Sequence, residues 1–117
     1  MTSVHEFDGA PLDWDAFARQ QAGFTHFHLY GWREVIRSAF GHETIYLAAR
    51  NGGVLSGVLP LVRVRSAVFG HYLVSMPFVN YGGPLGTPDS IRALSSEAAR
   101  IAVETGVKLL ELRSAIE

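Results

Sequence analysis

The sequence predicts an α/β protein, a mixed sheet with helices packed on it. Two observations predict this. Apolar residues recur at helical spacing in DWDAFARQQ, in HLYGWREVIRSAF and from Thr87 to Thr105, whereas TIYLAAR, VLSGVLPLVRVR, YLVSMPF and VKLLELR are runs of β-formers bounded by Gly, Asn or Pro. The last helical stretch also stands between the last two strand-like runs, which implies a parallel, right-handed crossover if those strands are neighbours. At 117 residues the chain has the size of one domain and can bury roughly two-thirds of the surface its unfolded form exposes.

Each element follows from local chemistry. After a polar lead-in, Asp13 to Gln21 makes a short helix with Trp14, Phe17 and Ala18 at helical spacing and Asp13 as its N-cap. In the second helix Trp32, Val35, Ile36, Ala39 and Phe40 form the core face, Gly31 weakens the first turn and Gly41 supplies the stop. Thr44 to Arg50 and Val54 to Arg65 pair as an antiparallel hairpin around Asn51-Gly52-Gly53. Gly57 and Pro60 mark a bulge or bend in its second strand, because proline cannot donate to a central ladder. Ser66 to Gly70 leads into a third strand, Tyr72 to Phe78.

Thr87-Pro88-Asp89 then opens a helix, with Thr as N-cap, Pro at the first helical position and Asp near the positive end of the dipole. Ile91, Leu94, Ala98, Ile101 and Ala102 face inward, and Gly106 ends the helix. Val107 to Arg113 is the fourth strand, giving the order α-α-β-β-β-α-β. An α/β domain ordinarily follows such a strand with a covering helix or another strand, so a truncated lobe of a longer protein is expected.

Composition excludes several classes. A net charge of −1 argues against bulk attraction to nucleic acid or anionic lipid, so any anion recognition is local. The absence of cysteine removes disulfides, thiolate metal sites and a cysteine nucleophile, and is compatible with a reducing cytosol. MTSVHEFDGAPLDWD has neither a basic nor an apolar leader region, and no stretch approaches the ~20 apolar residues that span a bilayer. A soluble, unprocessed chain is expected.

Chemistry-bearing patterns are few. His26-Phe27-His28 could hold a metal on a strand, given a third ligand, but here it opens a helix, where side chains two apart diverge; capping or partly exposed histidines are the plainer reading. His5, His42 and His71 sit in no motif. Ser56 and Ser75 lack the G-x-S-x-G elbow of a serine nucleophile. Gly82-Gly83-Pro84-Leu85-Gly86 lacks the Gly-Lys-Ser/Thr of a phosphate loop, and its proline removes a backbone donor. Arg63 and Arg65 point to one side of their strand, which suits a phosphate or carboxylate and equally a solvated face. Glu111 and Arg113 share a face of the last strand; on a central strand two such charges need a polar cleft.

Taken in order, FHLYGW, AFGH, GVLPLVRVRS with FG, SMPFVNYGG and LELR resemble the amino-terminal lobe of FemAB-like acyltransferases. More narrowly, they are similar to the branch associated with exosortase and PEP-CTERM sorting systems. The resemblance covers Phe27 to Arg113 and is strongest at Leu59-Pro60-Leu61, Ser75 to Gly83 and Leu110 to Arg113. It implies a GNAT-like mixed sheet flanked by helices, with residues 1–26 a lead-in carrying a short helix and residues 27–117 an N-terminal lobe incomplete at its C-terminus. A second GNAT-like lobe would complete the protein.

The activity so implied is transfer of an acyl or aminoacyl group to an amine on a peptidoglycan, exopolysaccharide or other cell-envelope precursor, in the cytoplasm or at the inner membrane face. No cofactor is expected within this piece, and the fragment alone would be inactive. The acyl donor, aminoacyl-tRNA or acyl-CoA, would bind the complete protein, because the R/Q-x-x-G-x-G/A turn that cradles CoA does not occur here. Neither a metal nor sequence-specific nucleic acid is expected. Arg63, Arg65 and Arg113 become candidates for holding an anionic substrate. Ser75, Phe78, Asn80, Tyr81, Gly82 and Gly83 would lie on the cleft side, with Pro77 breaking the ladder. The competing readings are a non-catalytic interaction lobe and a small-molecule N-acetyltransferase; no catalytic residue is assigned.

Overall fold

Strands that are apolar at successive positions must be covered on both faces, and the helices of this chain divide accordingly. The computed structural model describes residues 2–66, 70–75, 83–106 and 109–111. The described elements are β1 (Thr2–Glu6), α1 (Pro11–Arg19), α2 (Trp32–Phe40), β2 (Glu43–Asn51), β3 (Val54–Ser66), β4 (Gly70–Ser75), β5 (Leu85–Gly86), α3 (Pro88–Thr105) and β6 (Leu109–Glu111). A 3-10 turn at His26–His28 joins α1 to α2.

One mixed sheet runs β1-β2-β3-β4-β6, and β5 adds to β3. Neighbours from β1 to β4 are antiparallel, while β4 and β6 are parallel with Tyr72 opposite Leu109, as the intervening helix implies. On one face Tyr46, Ala48, Val58, Val62 and Val64 meet Trp14 and Ala18 of α1 and Ile36 of α2. On the other, Leu47, Ala49, Leu59 and Leu61 meet Leu94 and Ala98 of α3. β2 and β3 are therefore apolar at successive positions, as strands buried on both faces must be.

Turn chemistry sets the ends. Asn51 pairs with Val54 across Gly52 and Gly53, whose φ values of 61° and 85° are the two positive angles of a type I′ hairpin turn. Gly41 and Gly106 end α2 and α3 in the left-handed region at φ 70° and 73°. Thr87 caps α3 by accepting from the Ser90 N–H at 3.2 Å.

Three readings need correction. The lead-in contributes β1, an edge strand, and β5 is a further short strand. α1 begins earlier than expected, with Ala10 as N-cap and Pro11 in its first turn; Asp13 lies inside. α2 buries only Ile36, whereas Val35 and Phe40 are 42% and 51% exposed. The reason is position: α2 packs against β2 through Ile36, and Phe27, Tyr30 and its own Trp32 are partly buried against the same cluster. Periodicity identifies an apolar stripe but not how much sheet lies beneath it.

Candidate functional site

β3 carries two partners in succession on its outer edge. Leu61 opposes Ser75 at the end of β4, and Val58 opposes Leu85 at the start of β5. Ser75 and Leu85 thus meet the same edge of β3 three positions apart, about 10 Å at the usual rise per residue. Pro60 sits in that interval. The Tyr46 carbonyl accepts from the Phe7 N–H at 2.8 Å, so Tyr46 points its backbone toward β1. Its opposite number Pro60 must then turn its own backbone away from β2, toward the interval between β4 and β5. A proline there costs no ladder bond to β2. The expected bulge lies further along, where Ala49 opposes Gly57 and Arg50 opposes Leu55, leaving Ser56 extra.

The return of the chain to β3 is held from both sides. On the α1 side stands His28, 1% exposed. Its Nδ1 accepts from the Thr25 N–H at 2.9 Å, with Thr25 Oγ1 at 3.0 Å, and its Nε2 donates to the Gly83 carbonyl at 2.9 Å. These partners define a neutral ring protonated on Nε2. His28 completes a cap in the way a Glu or Gln does three residues after Thr. Trp14, fully buried, donates its indole N–H to the His28 carbonyl at 2.8 Å, and Asp15 Oδ1 accepts from the Tyr30 N–H at 2.7 Å. Phe7, Trp14, Tyr30 and Tyr46 pack their rings together around this point. Burial pushes the Tyr46 phenol well above its ordinary pKa. Burial also holds the His28 pKa below 6.5, against the opposing pull of the Gly83 carbonyl.

On the α3 side a chain of hydroxyls fastens the helix start to the bulge. Thr87 Oγ1 donates to Ser90 Oγ at 2.9 Å, Ser90 Oγ to Ser56 Oγ at 2.8 Å, and Ser56 Oγ to the Ala49 carbonyl at 3.3 Å. The Thr87 N–H meets the Ser56 carbonyl at 3.2 Å. Backbones approach so closely here that a Cβ on Gly86, at φ 139°, would stand 2.3 Å from the Ser56 carbonyl oxygen, and one on Gly57 would stand 2.8 Å from Ser90 Cβ.

The sequence-predicted site residues divide. Gly83 is buried and is the acceptor of the His28 bond. Ser75 ends β4 opposite Leu61, and Arg65 opposes His71. Arg63 opposes Leu73; its Nη1 meets Glu43 Oε2 at 3.4 Å, and together with Gly41 and His42 the pair lines an open pocket of about 200 Å³. An anion entering that pocket would compete with the Glu43 carboxylate. Phe78, Asn80, Tyr81, Gly82 and Arg113, together with Pro77, lie outside the described residues.

Ser90 was left unassigned by sequence reading, Trp14 was placed only on the helical face of α1, and His28, read as a capping or partly exposed histidine, does cap but is buried. The signal for His28 was present, since Thr25 and His28 have capping-box spacing, but nothing local pointed to Gly83. Among the described residues no group of three or more His, Cys, Asp or Glu is placed to hold a metal ion. No described helix is long and apolar enough to cross a membrane. The fold and site together define a domain of mixed α and β structure in which β4 and β5 meet the same edge of β3. Compared with family models, curated proteins and solved structures, the chain matches none.

Proposed function

We propose that this chain is the substrate-binding lobe of a FemAB-like acyltransferase with a GNAT-like fold, working with a second lobe to acylate an amine on a cell-envelope precursor. The observation that carries the reading is that Ser75, at the end of β4, and Leu85, at the start of β5, pair with the same edge of β3 on either side of Pro60. It gives the SMPFVNYGG stretch two fixed ends beside the central strand. The parallel β4–β6 pair flanking α3 also supports the resemblance.

In such a reaction the amine lone pair attacks the acyl carbonyl. The new C–N bond forms as the ester or thioester bond breaks, and the amine proton passes to the departing group. Positioning and backbone donors supply much of the acceleration, so a covalent nucleophile is not required. The test is transfer by the full-length protein of a labelled acyl or aminoacyl group, from acyl-CoA or aminoacyl-tRNA, to amine-bearing muropeptide and polysaccharide precursors. Amide formation is expected. A folded protein that makes no amide with either donor overturns the reading.

The partly exposed Val35 and Phe40 on α2 favour a second reading, a non-catalytic lobe that pairs through this face. Unaltered lobe association in a Val35→Ser, Phe40→Ser double variant removes that reading.

A further inference from the structure

We propose that His28 is a positioning clamp: as a neutral imidazole it ties Gly83 to the layer built from α1 and the 3-10 turn, and uptake of a second proton opens the clamp. The inference does not depend on the reaction proposed above.

The geometry carries it. The two ring nitrogens hold opposite roles, Nε2 donating to the Gly83 carbonyl and Nδ1 accepting from the Thr25 N–H, each at 2.9 Å. Only the Nε2–H neutral ring satisfies both. A proton added at Nδ1 would face the Thr25 N–H, donor against donor. Thr25 Oγ1, already 3.0 Å from Nδ1, can accept that proton in place, so it is burial of the charge that disfavours the protonated ring inside the clamp and favours its leaving. Water cannot readily solvate the charged ring in place, because it is 1% exposed and stands beside Phe24.

The ionisable groups on the surrounding elements have other partners. On α1 Asp15 accepts from the Tyr30 N–H and Arg19 lies over the Phe24 ring, while on α2 Arg33 lies over the Tyr30 ring. Tyr46 of β2 packs on Trp14 and Tyr30. No described carboxylate bonds to the His28 ring to stabilise a cation. The carbonyl of His28 is meanwhile fixed by Trp14, so the backbone of the turn stays anchored while the ring moves. Gly83 ends the glycine pair of SMPFVNYGG and precedes β5, so its release frees the chain's approach to β3 without breaking the β2–β3 ladder.

Nitrogen-15 NMR of the histidine rings in the intact protein tests the tautomer directly. A bare Nδ1 and a protonated Nε2 on His28 are expected at neutral pH. An Nδ1–H tautomer, or an ordinary histidine titration, overturns the proposal.

Hydrogen exchange, with rates normalised to the intrinsic rate at each pH, tests the release. As His28 protonates, protection at Thr25 and Leu85 should fall together about tenfold, the factor for losing one hydrogen bond of ordinary strength, while Leu47 and Leu59 keep theirs. Unchanged protection at Leu85, or simultaneous loss across β2 and β3, overturns it. His28→Gln keeps a donor without a titrating ring, so it should retain protection at Leu85 and lose the acid step. His28→Ala should show the reduced protection at every pH; if it does not fold, the wild-type NMR and exchange experiments decide.

Discussion

At the level of residues, the determining feature is how little space separates the start of α3 from the bulge of β3. Gly57 and Gly86 are the positions where this matters. At Gly57 an added methyl would press on Ser90 Cβ at 2.8 Å, Leu94 Cδ1 at 3.0 Å and the Leu85 carbonyl oxygen at 3.2 Å. Gly57→Ala is expected to cost about 1–3 kcal/mol in denaturant unfolding, the usual range for overpacking. Gly86→Ala should cost more, because backbone rather than a rotatable side chain stands in the way and φ is 139°. Trp14→Phe keeps most of the ring packing but leaves the His28 carbonyl without the indole donor; a loss of about 1–3 kcal/mol is expected, the penalty for an unsatisfied buried acceptor. A melting temperature equal to wild type would show that Trp14 acts by packing alone. Gly57 was legible as a bulge signal. The requirement at Gly86 was not, because it arises from a strand some thirty residues earlier.

At the level of elements, local chemistry and coverage contribute separately. Hairpin turn, helix stops and the Thr87 cap are short-range features and could be read from a few consecutive residues. Thr87→Ala removes the hydroxyl that accepts from the Ser90 N–H and also the first member of the hydroxyl chain to Ser56, so a loss of about 1–2 kcal/mol is expected by thermal or denaturant unfolding. α2 separates periodicity from burial. Ile36→Ala should cost about 2–4 kcal/mol, as for a buried aliphatic side chain, whereas Phe40→Ser should change the stability of the chain by about 0.5 kcal/mol or less. Equal effects at the two positions would mean that the stripe is buried as the sequence pattern suggests. The strand β1 was missed for the complementary reason: TSVHE is short and polar except at Val4, and what makes it a strand is the open edge of β2, with Val4 opposite Ala49.

At the level of the whole molecule, pH couples the site to stability. His28 has its folded pKa below the ordinary 6.5, so between those values the unfolded chain binds a proton that the native chain does not. Its contribution is fully present above pH 6.5 and is lost as pH falls toward the lowered native value. Unfolding midpoints should therefore decline on mild acidification in wild type and decline less in His28→Gln; parallel declines would assign the effect to other groups. The sequence by itself determined the mix of helices and strands, the hairpin, the Thr87 cap and the glycine stops of α2 and α3, because each depends on neighbours within a few residues. Tertiary structure decided the rest: that β4 and β5 meet the same edge of β3, that Arg63 meets Glu43, and that His28 reaches Gly83 across fifty-five positions of chain. Those contacts depend on which segments the sheet brings side by side, and no local pattern of residues encodes that distance.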